Sequence, residues 1–491
     1  MIYPLLVIVF LVLIIRYSKA FQLNGLSKWT MPAAFILKIL VGLLLFWMHI
    51  QTYGLEELSH DGGTFLKEGK YLTDVFFKSP IDYLKLLTGI GETPALIAKH
   101  LYMTEYWSSG DLTLINDSKN VIRLHSIVHF FSGNSVLIHL SIFCLFSLIA
   151  IKNFFLAFRP YVQQSNLFVF WALLLIPSTI FWTSSLLKEP WVFLGMSLLA
   201  RAILYDTKMR QKGFYTVLSI IFLIGFKPYV LVCILLALIA FLVYRFLFRS
   251  KLIPTILLLL STVFIGGILF EKPRDTVVHY LSRKQFDFVN VGKGGLHVAA
   301  DTCFYYFRPF QYGNLKMTGN EVRLLKPTDA YIVHFGSIQT PIPLHLVPKG
   351  EVWRRHYFTE GCMSFIETTP IMDNSKQLVR NIPEALTNSI LRPFPNDPGS
   401  NLKFLSFAEV WLIFGFLVIA FIKRRKLSNT ERGIIFTLAV FSFLLFLLIG
   451  WTTPVLGAIT RYRFPAQFAL ILIGMILLKP IKIQSWRNIF S

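Results

Sequence analysis

Charge is scarce in this chain. Only 15% of its 491 residues are charged and 55% are hydrophobic, whereas a soluble protein carries about 25% charged residues. The apolar runs exceed a buried helix in length and lack an alternating polar face, so a soluble fold is excluded. Acids are scarcer still, 26 against 48 Lys and Arg, which leaves a net charge of +22. Such an excess often marks a nucleic-acid binder, but here the cations sit in short tufts between apolar runs, where membrane topology needs them. Nucleic acid is therefore not an expected partner. There are only four cysteines, with no Cys/His ligand spacing, Walker loop or dinucleotide fingerprint. No cofactor is expected, and a divalent metal stays open. No internal repeat and no low-complexity stretch is present. A cleavable leader is not expected either, because Ile2–Ile15 has no basic residue before it and Arg16 and Lys19 after it, the reverse of a secretory signal.

What is there is a succession of apolar runs, at about 2–15, 33–50, 133–151, 166–183, 190–205, 214–226, 228–247, 252–270, 405–422, 434–451 and 464–479. A span needs roughly 20 residues, so the shorter runs are expected to extend into flanking residues. The fold class expected is an all-α polytopic membrane protein of about eleven membrane helices with a mixed extracytoplasmic loop domain. The expected segments are 1–50 (two membrane helices), 51–132 (a first outer loop), 133–270 (six membrane helices), 271–404 (an extracytoplasmic domain) and 405–491 (three membrane helices).

Orientation follows from the tufts. If 16–32 is cytoplasmic, so are Lys152 and Arg159, Lys208 to Lys212, Arg245 to Lys251, Lys423 to Arg432, and Lys479 to Arg487. Every inner loop is then basic, as the positive-inside rule requires. Ten of the 26 acids fall in 51–132 and twelve in 271–404, marking these as the water-exposed parts. The expected location is a cell inner membrane, with the N-terminus outside and the C-terminus cytoplasmic.

Four stretches carry chemistry. His60-Asp61-Gly62-Gly63 precedes an amphipathic run in which Phe65, Leu66, Tyr71, Leu72, Phe76 and Phe77 alternate with Lys67, Lys70 and Lys78, a pattern that lies in a membrane interface. Asp61 is a candidate general base or a helix N-cap, with His60 in support. Thr183–Pro190 is a tight turn between two runs, holding Lys188 and Glu189. Ionisable groups at membrane depth are costly and suggest function, although a lysine at a helix end snorkels cheaply to water. Lys227-Pro228 is a similar lone cation, and Lys38 stands out of place within the second run. Thr460-Arg461-Tyr462-Arg463-Phe464-Pro465 opens the last run with two arginines on the outer face. Guanidinium groups fork onto phosphate oxygens, and Pro465 favours an extended segment in which Arg461 and Arg463 converge on one phosphate. Cys144 and Cys233 lie within runs; Cys303 and Cys362 share one outer domain and are expected to pair in an oxidising compartment.

An acid in the first outer loop ahead of an aromatic-rich interfacial helix, with Arg-Tyr-Arg-Phe-Pro-Ala opening the last span, resembles the C-type membrane glycosyltransferases of the protein O-mannosyltransferase and aminoarabinose transferase group. The resemblance implies Asp61 as catalytic base and Arg461 and Arg463, with Tyr462 in support, as ligands of a lipid phosphate. It implies a polyprenyl-phosphate-linked sugar donor and a glycan, lipid or protein acceptor in the bilayer setting. Lys188 and Lys227 join the phosphate-binding set on topology alone, with Glu189 beside Lys188. The reaction is expected to invert the sugar. A large late outer loop rich in Arg and His, with Arg354-Arg355-His356, also resembles O-antigen polymerases and ligases. A transporter or flippase is the third reading, and it predicts ionisable residues near mid-span.

Overall fold

The computed structural model describes residues 2–53, 60–101, 104, 106–107, 116–205, 208–248, 251–299, 303–318, 321–334, 344–347, 349–359 and 361–480. Helices α1 (Ile2–Tyr17) and α2 (Thr30–Tyr53) open the chain, and α3 (His60–Lys78), α4 (Pro80–Thr88), α5 (Pro94–His100) and α6 (Asp117–Ser132) follow. Then come α7 (Val136–Phe158), α8 (Asn166–Leu174), α9 (Pro177–Trp182), α10 (Glu189–Leu204), α11 (Met209–Phe226), α12 (Pro228–Leu242), α13 (Leu252–Leu269) and α14 (Glu271–Lys293). Strands β1 (Gly295–Ala299), β2 (Cys303–Phe307), β3 (Leu315–Thr318), β4 (Glu321–Leu324), β5 (Thr328–His334), β6 (Leu344–Val347) and β7 (Val352–Thr359) intervene before α15 (Ser375–Arg380) and α16 (Ile382–Leu386). The chain ends in α17 (Leu402–Ile422), α18 (Asn429–Thr452), α19 (Leu456–Tyr462) and α20 (Phe464–Leu477).

Among the described residues, five helices are long and apolar enough to cross a membrane: Thr30–Met48, Val136–Tyr161, Pro228–Leu247, α17 and α18. A sixth is formed if Leu252–Gly267 and Glu271–Lys293, bent by 97° at their junction, count as one. The other expected spans take a different form. The run 166–183 is two short helices, because Pro177 lacks an N–H and drives Ile176 to an extended backbone with ψ 117°. α1 and α10 have 16 residues and α20 has 14, short of a full crossing.

The chain divides into two compact units. The first comprises Met1–Leu236, Gly415–Leu438 and Phe468–Ser491. In it α10 packs against both α7 and α11, and Phe154 of α7, Phe193 of α10 and Phe468 of α20 meet at ring distances of 4.6 to 5.0 Å. α3 lies along α6 rather than wholly in an interface. Its Phe65, Leu66, Leu72 and Val75 are buried, while Phe77 at its end and Ile81 and Leu84 of α4 stay exposed. The close approach needs Gly69, where an added Cβ would meet the Cβ of His125 at 2.6 Å.

The second unit, Ala237–Phe414 with Ala439–Gln467, contains a seven-stranded antiparallel sheet in the order β3-β4-β7-β1-β2-β5-β6. Leu296, Val298, Phe307, Val322, Leu324, Ala330 and Trp353 form its core. In this unit α14 feeds the sheet, and Gln285 of α14 holds Ile371 and Thr369 through their backbones.

Candidate functional site

The turn between α9 and α10 brings together three of the predicted residues, Lys188, Glu189 and Lys227. Pro190 sits in the first turn of α10 and Lys188 immediately precedes that helix, as the sequence predicts. The turn is fastened at four points. Lys38, fully buried in α2, donates to the Thr183 hydroxyl at 2.8 Å. His125 of α6 meets the Leu186 carbonyl through Nε2 at 3.3 Å. Lys188 pairs with Asp117 at 2.7 Å, donates to Ser118 at 3.0 Å and lies 5.6 Å from the Phe65 ring centre. Glu189 accepts from Lys227 at 2.8 Å, both side chains being buried. A buried charge this well paired is the expected state for ionisable groups in a low-dielectric setting.

Beside the turn is an apolar cavity of about 160 Å³. Its wall is built from Gly42, Leu43, Leu45 and Phe46 of α2, Gly62 of α3, Val136, Leu137 and Leu140 of α7, and Ser185, Leu186 and Leu187 of the turn. Gly62 follows Asp61, and Leu187 precedes Lys188. Two motifs more than a hundred residues apart in sequence therefore border one space. Asp61 is half-buried in the first turn of α3 rather than at its cap. His60 begins that helix; its side chain lies outside those described.

A surrounding layer escaped the sequence reading. Glu92, 2% exposed, binds Lys119 at 2.8 Å and Arg123 at 3.1 Å, and both cations lie over Trp107 at 5.3 and 6.0 Å. Arg123 also donates to the Leu86 carbonyl. Its pKa is lowered by burial, against which Glu92 pulls upward. His125 and His139 face each other Nδ1 to Nδ1 at 3.0 Å. Burial pulls the His125 imidazole down to about 3, with the Leu186 carbonyl opposing and His129 assisting. The signal available in sequence was slight: His125 and His129 are four apart on an otherwise ordinary helix.

The arginine pair departs from expectation. The segment is helical: α19 runs to Tyr462, Arg463 has helical angles and α20 starts at Phe464. Residues two apart on a helix diverge by about 200°, so Arg461 and Arg463 do not share a ligand as an extended segment would allow. Arg463 is fully buried, donating to the carbonyls of Ser389 (3.1 Å) and Arg392 and to the Ser406 hydroxyl at 2.8 Å. It is a structural tie within the second unit. Arg461 is half-buried and donates to the Tyr462 hydroxyl at 3.2 Å, while Tyr462 meets Phe288 edge-on at 6.2 Å. The expected Cys303–Cys362 bond falls on the Cys303 side chain, which lies outside those described; the Cys362 N–H donates to the Gly292 carbonyl at 2.8 Å. No family model, curated protein or solved structure matches this chain.

Proposed function

We propose that this protein is an integral membrane glycosyltransferase that moves a sugar from a polyprenyl-phosphate donor to an acceptor on the outer face of the membrane. The observation that carries the reading is the apolar cavity bordered by both Gly62 and Ser185–Leu187. Its lining is an apolar wall suited to an isoprenyl chain, and the lining residues Gly62 and Leu187 are the chain neighbours of a carboxylate, Asp61, and an ammonium, Lys188. These are the two groups that transfer from a lipid phosphate requires.

In this reading Asp61 takes the proton of the acceptor hydroxyl as its oxygen attacks the anomeric carbon from the face opposite the phosphate. The bond from that carbon to the phosphate oxygen breaks, and the electron pair leaves with the polyprenyl phosphate. Lys188 stabilises that charge. Its partner Asp117 is 45% exposed in its side chain, so the phosphate can take the place of Asp117 at little desolvation cost. Lys227, engaged with buried Glu189, is reassigned from ligand to structural support of the turn. Arg463 is reassigned likewise, and Arg461 stays as the arginine candidate for an outer-face contact.

The test is release of polyprenyl phosphate from a panel of polyprenyl-phosphate hexoses and pentoses by protein reconstituted in liposomes. Release is expected for one donor, with Asp61→Asn lowering turnover by roughly a hundredfold or more while membrane insertion is kept. Near-normal turnover in Asp61→Asn removes the base assignment; no release from any donor removes the enzyme reading.

A further inference from the structure

We propose that His125 is a positioning residue for the Lys188 turn, held in one tautomer by a buried chain running from Ser132 through His139 and His125 to the Leu186 carbonyl. The consequence for activity rests on the reading of Lys188 as a donor ligand; the chain itself does not.

The argument is one of donors and acceptors. A carbonyl only accepts, so the His125 Nε2 that meets Leu186 carries a hydrogen. A neutral imidazole has one N–H, so the Nδ1 of His125 is bare. His139 Nδ1 lies 3.0 Å away and must supply the hydrogen of that contact. That leaves His139 Nε2 bare, to accept from the Ser132 hydroxyl at 3.0 Å. Ser132, His139 and His125 are all fully buried, so water does not offer an alternative partner. The ring of His125 is further fixed by stacking on Phe143, 4.6 Å away at 19°. His129 ties the same bundle to α3, through Leu66 at 2.9 Å. The direction of the Leu186 carbonyl, two residues from Lys188, is therefore set from the far end of α6.

Two substitutions separate the two nitrogens of His125. In His125→Gln the amide reaches the place of Nε2 and keeps a donor for Leu186. In His125→Asn the amide matches only Nδ1, and the turn is released. Hydrogen–deuterium exchange of the full-length protein in lipid nanodiscs reads the amides of 183–190. Exchange is expected to rise about tenfold in His125→Asn, the equivalent of one lost hydrogen bond, and to stay near wild type in His125→Gln. The KM for the polyprenyl-phosphate sugar should follow the same order. Equal exchange in the two variants overturns the proposal. If His125→Asn does not fold, nitrogen NMR of histidine-labelled wild-type protein decides: hydrogen on Nδ1 of His139 and on Nε2 of His125 supports the chain, and hydrogen on Nε2 of His139 overturns it. Wild-type protein that transfers no sugar yet shows the exchange pattern overturns the enzyme reading and leaves the brace standing.

Discussion

The ammonium of Lys38 donates to the hydroxyl of Thr183 at 2.8 Å, and that hydroxyl donates onward to the Thr179 carbonyl at 2.6 Å. A fully buried cation thus ends on a chain of neutral acceptors. Removing only the acceptor strands the ammonium, whereas removing the cation costs little. Thr183→Val is expected to destabilise by about 1–3 kcal/mol, and Lys38→Met to relieve most of that loss in the double variant. Unfolding in detergent, run as a double-mutant cycle, measures the coupling; additive losses would show that the contact contributes nothing.

Gly42 sits one helical turn from Lys38 and touches the same turn. A Cβ there would meet the Ser184 carbonyl at 2.4 Å and Leu140 at 2.7 Å. Gly42→Ala is therefore expected to push the turn away from α2 and to cost about 1–3 kcal/mol through overpacking. A melting temperature unchanged from wild type would mean that the turn yields freely, contrary to its four fastenings.

Glu92 answers two buried cations at once. Glu92→Gln leaves Lys119 and Arg123 facing each other without their shared carboxylate, at an expected cost of about 3–5 kcal/mol. Lys119→Met in the Glu92→Gln background should recover part of it. Expression level and thermal stability of the three variants check the order.

The two arginines should behave oppositely. Arg463→Lys keeps the charge but not the fork that reaches Ser389, Arg392 and Ser406, and a loss of about 3 kcal/mol is expected. Arg461→Lys should leave stability within about 0.5 kcal/mol, as for a substitution outside the core, and should weaken donor affinity through loss of the guanidinium fork. A destabilised Arg461→Lys with an unaffected Arg463→Lys would reverse the assignment.

Acid should loosen the first unit in a defined window. His125 has an ordinary value of 6.5 and is pulled to about 3 in the fold. Its contribution is whole above about pH 6.5 and is lost as pH falls toward about 3, at about 1.4 kcal/mol per pH unit. The groups facing it are His139 from α7 and His129 from its own helix, and Lys70 and Asp74 of α3 act on His129. Half-buried Asp82, held to about 2 mainly by its hydrogen bond to His100, responds only below about pH 4. Melting temperature between pH 7 and pH 4.5 is expected to fall in wild type and to fall less in His125→Gln.

Apolar run length and the absence of an alternating polar face determined, from sequence alone, that this chain builds helices able to cross a membrane, because those properties depend on side-chain transfer free energy and not on partners. The Lys188–Pro190 turn was legible for the same local reason: proline favours a helix start. Local rules failed where a long-range partner decided. Pro465 argued for an extended Arg461–Phe464, yet proline is also at home in a first turn, and the acceptors at Ser389, Arg392 and Ser406 drew Arg463 inward along a helix. Glu92 and His125 carry no motif at all, since their partners lie 14 to 61 residues away. Only the tertiary structure placed Gly62 and Ser185–Leu187 on one cavity, because that juxtaposition depends on how α2, α3 and α7 pack and not on any spacing within the chain.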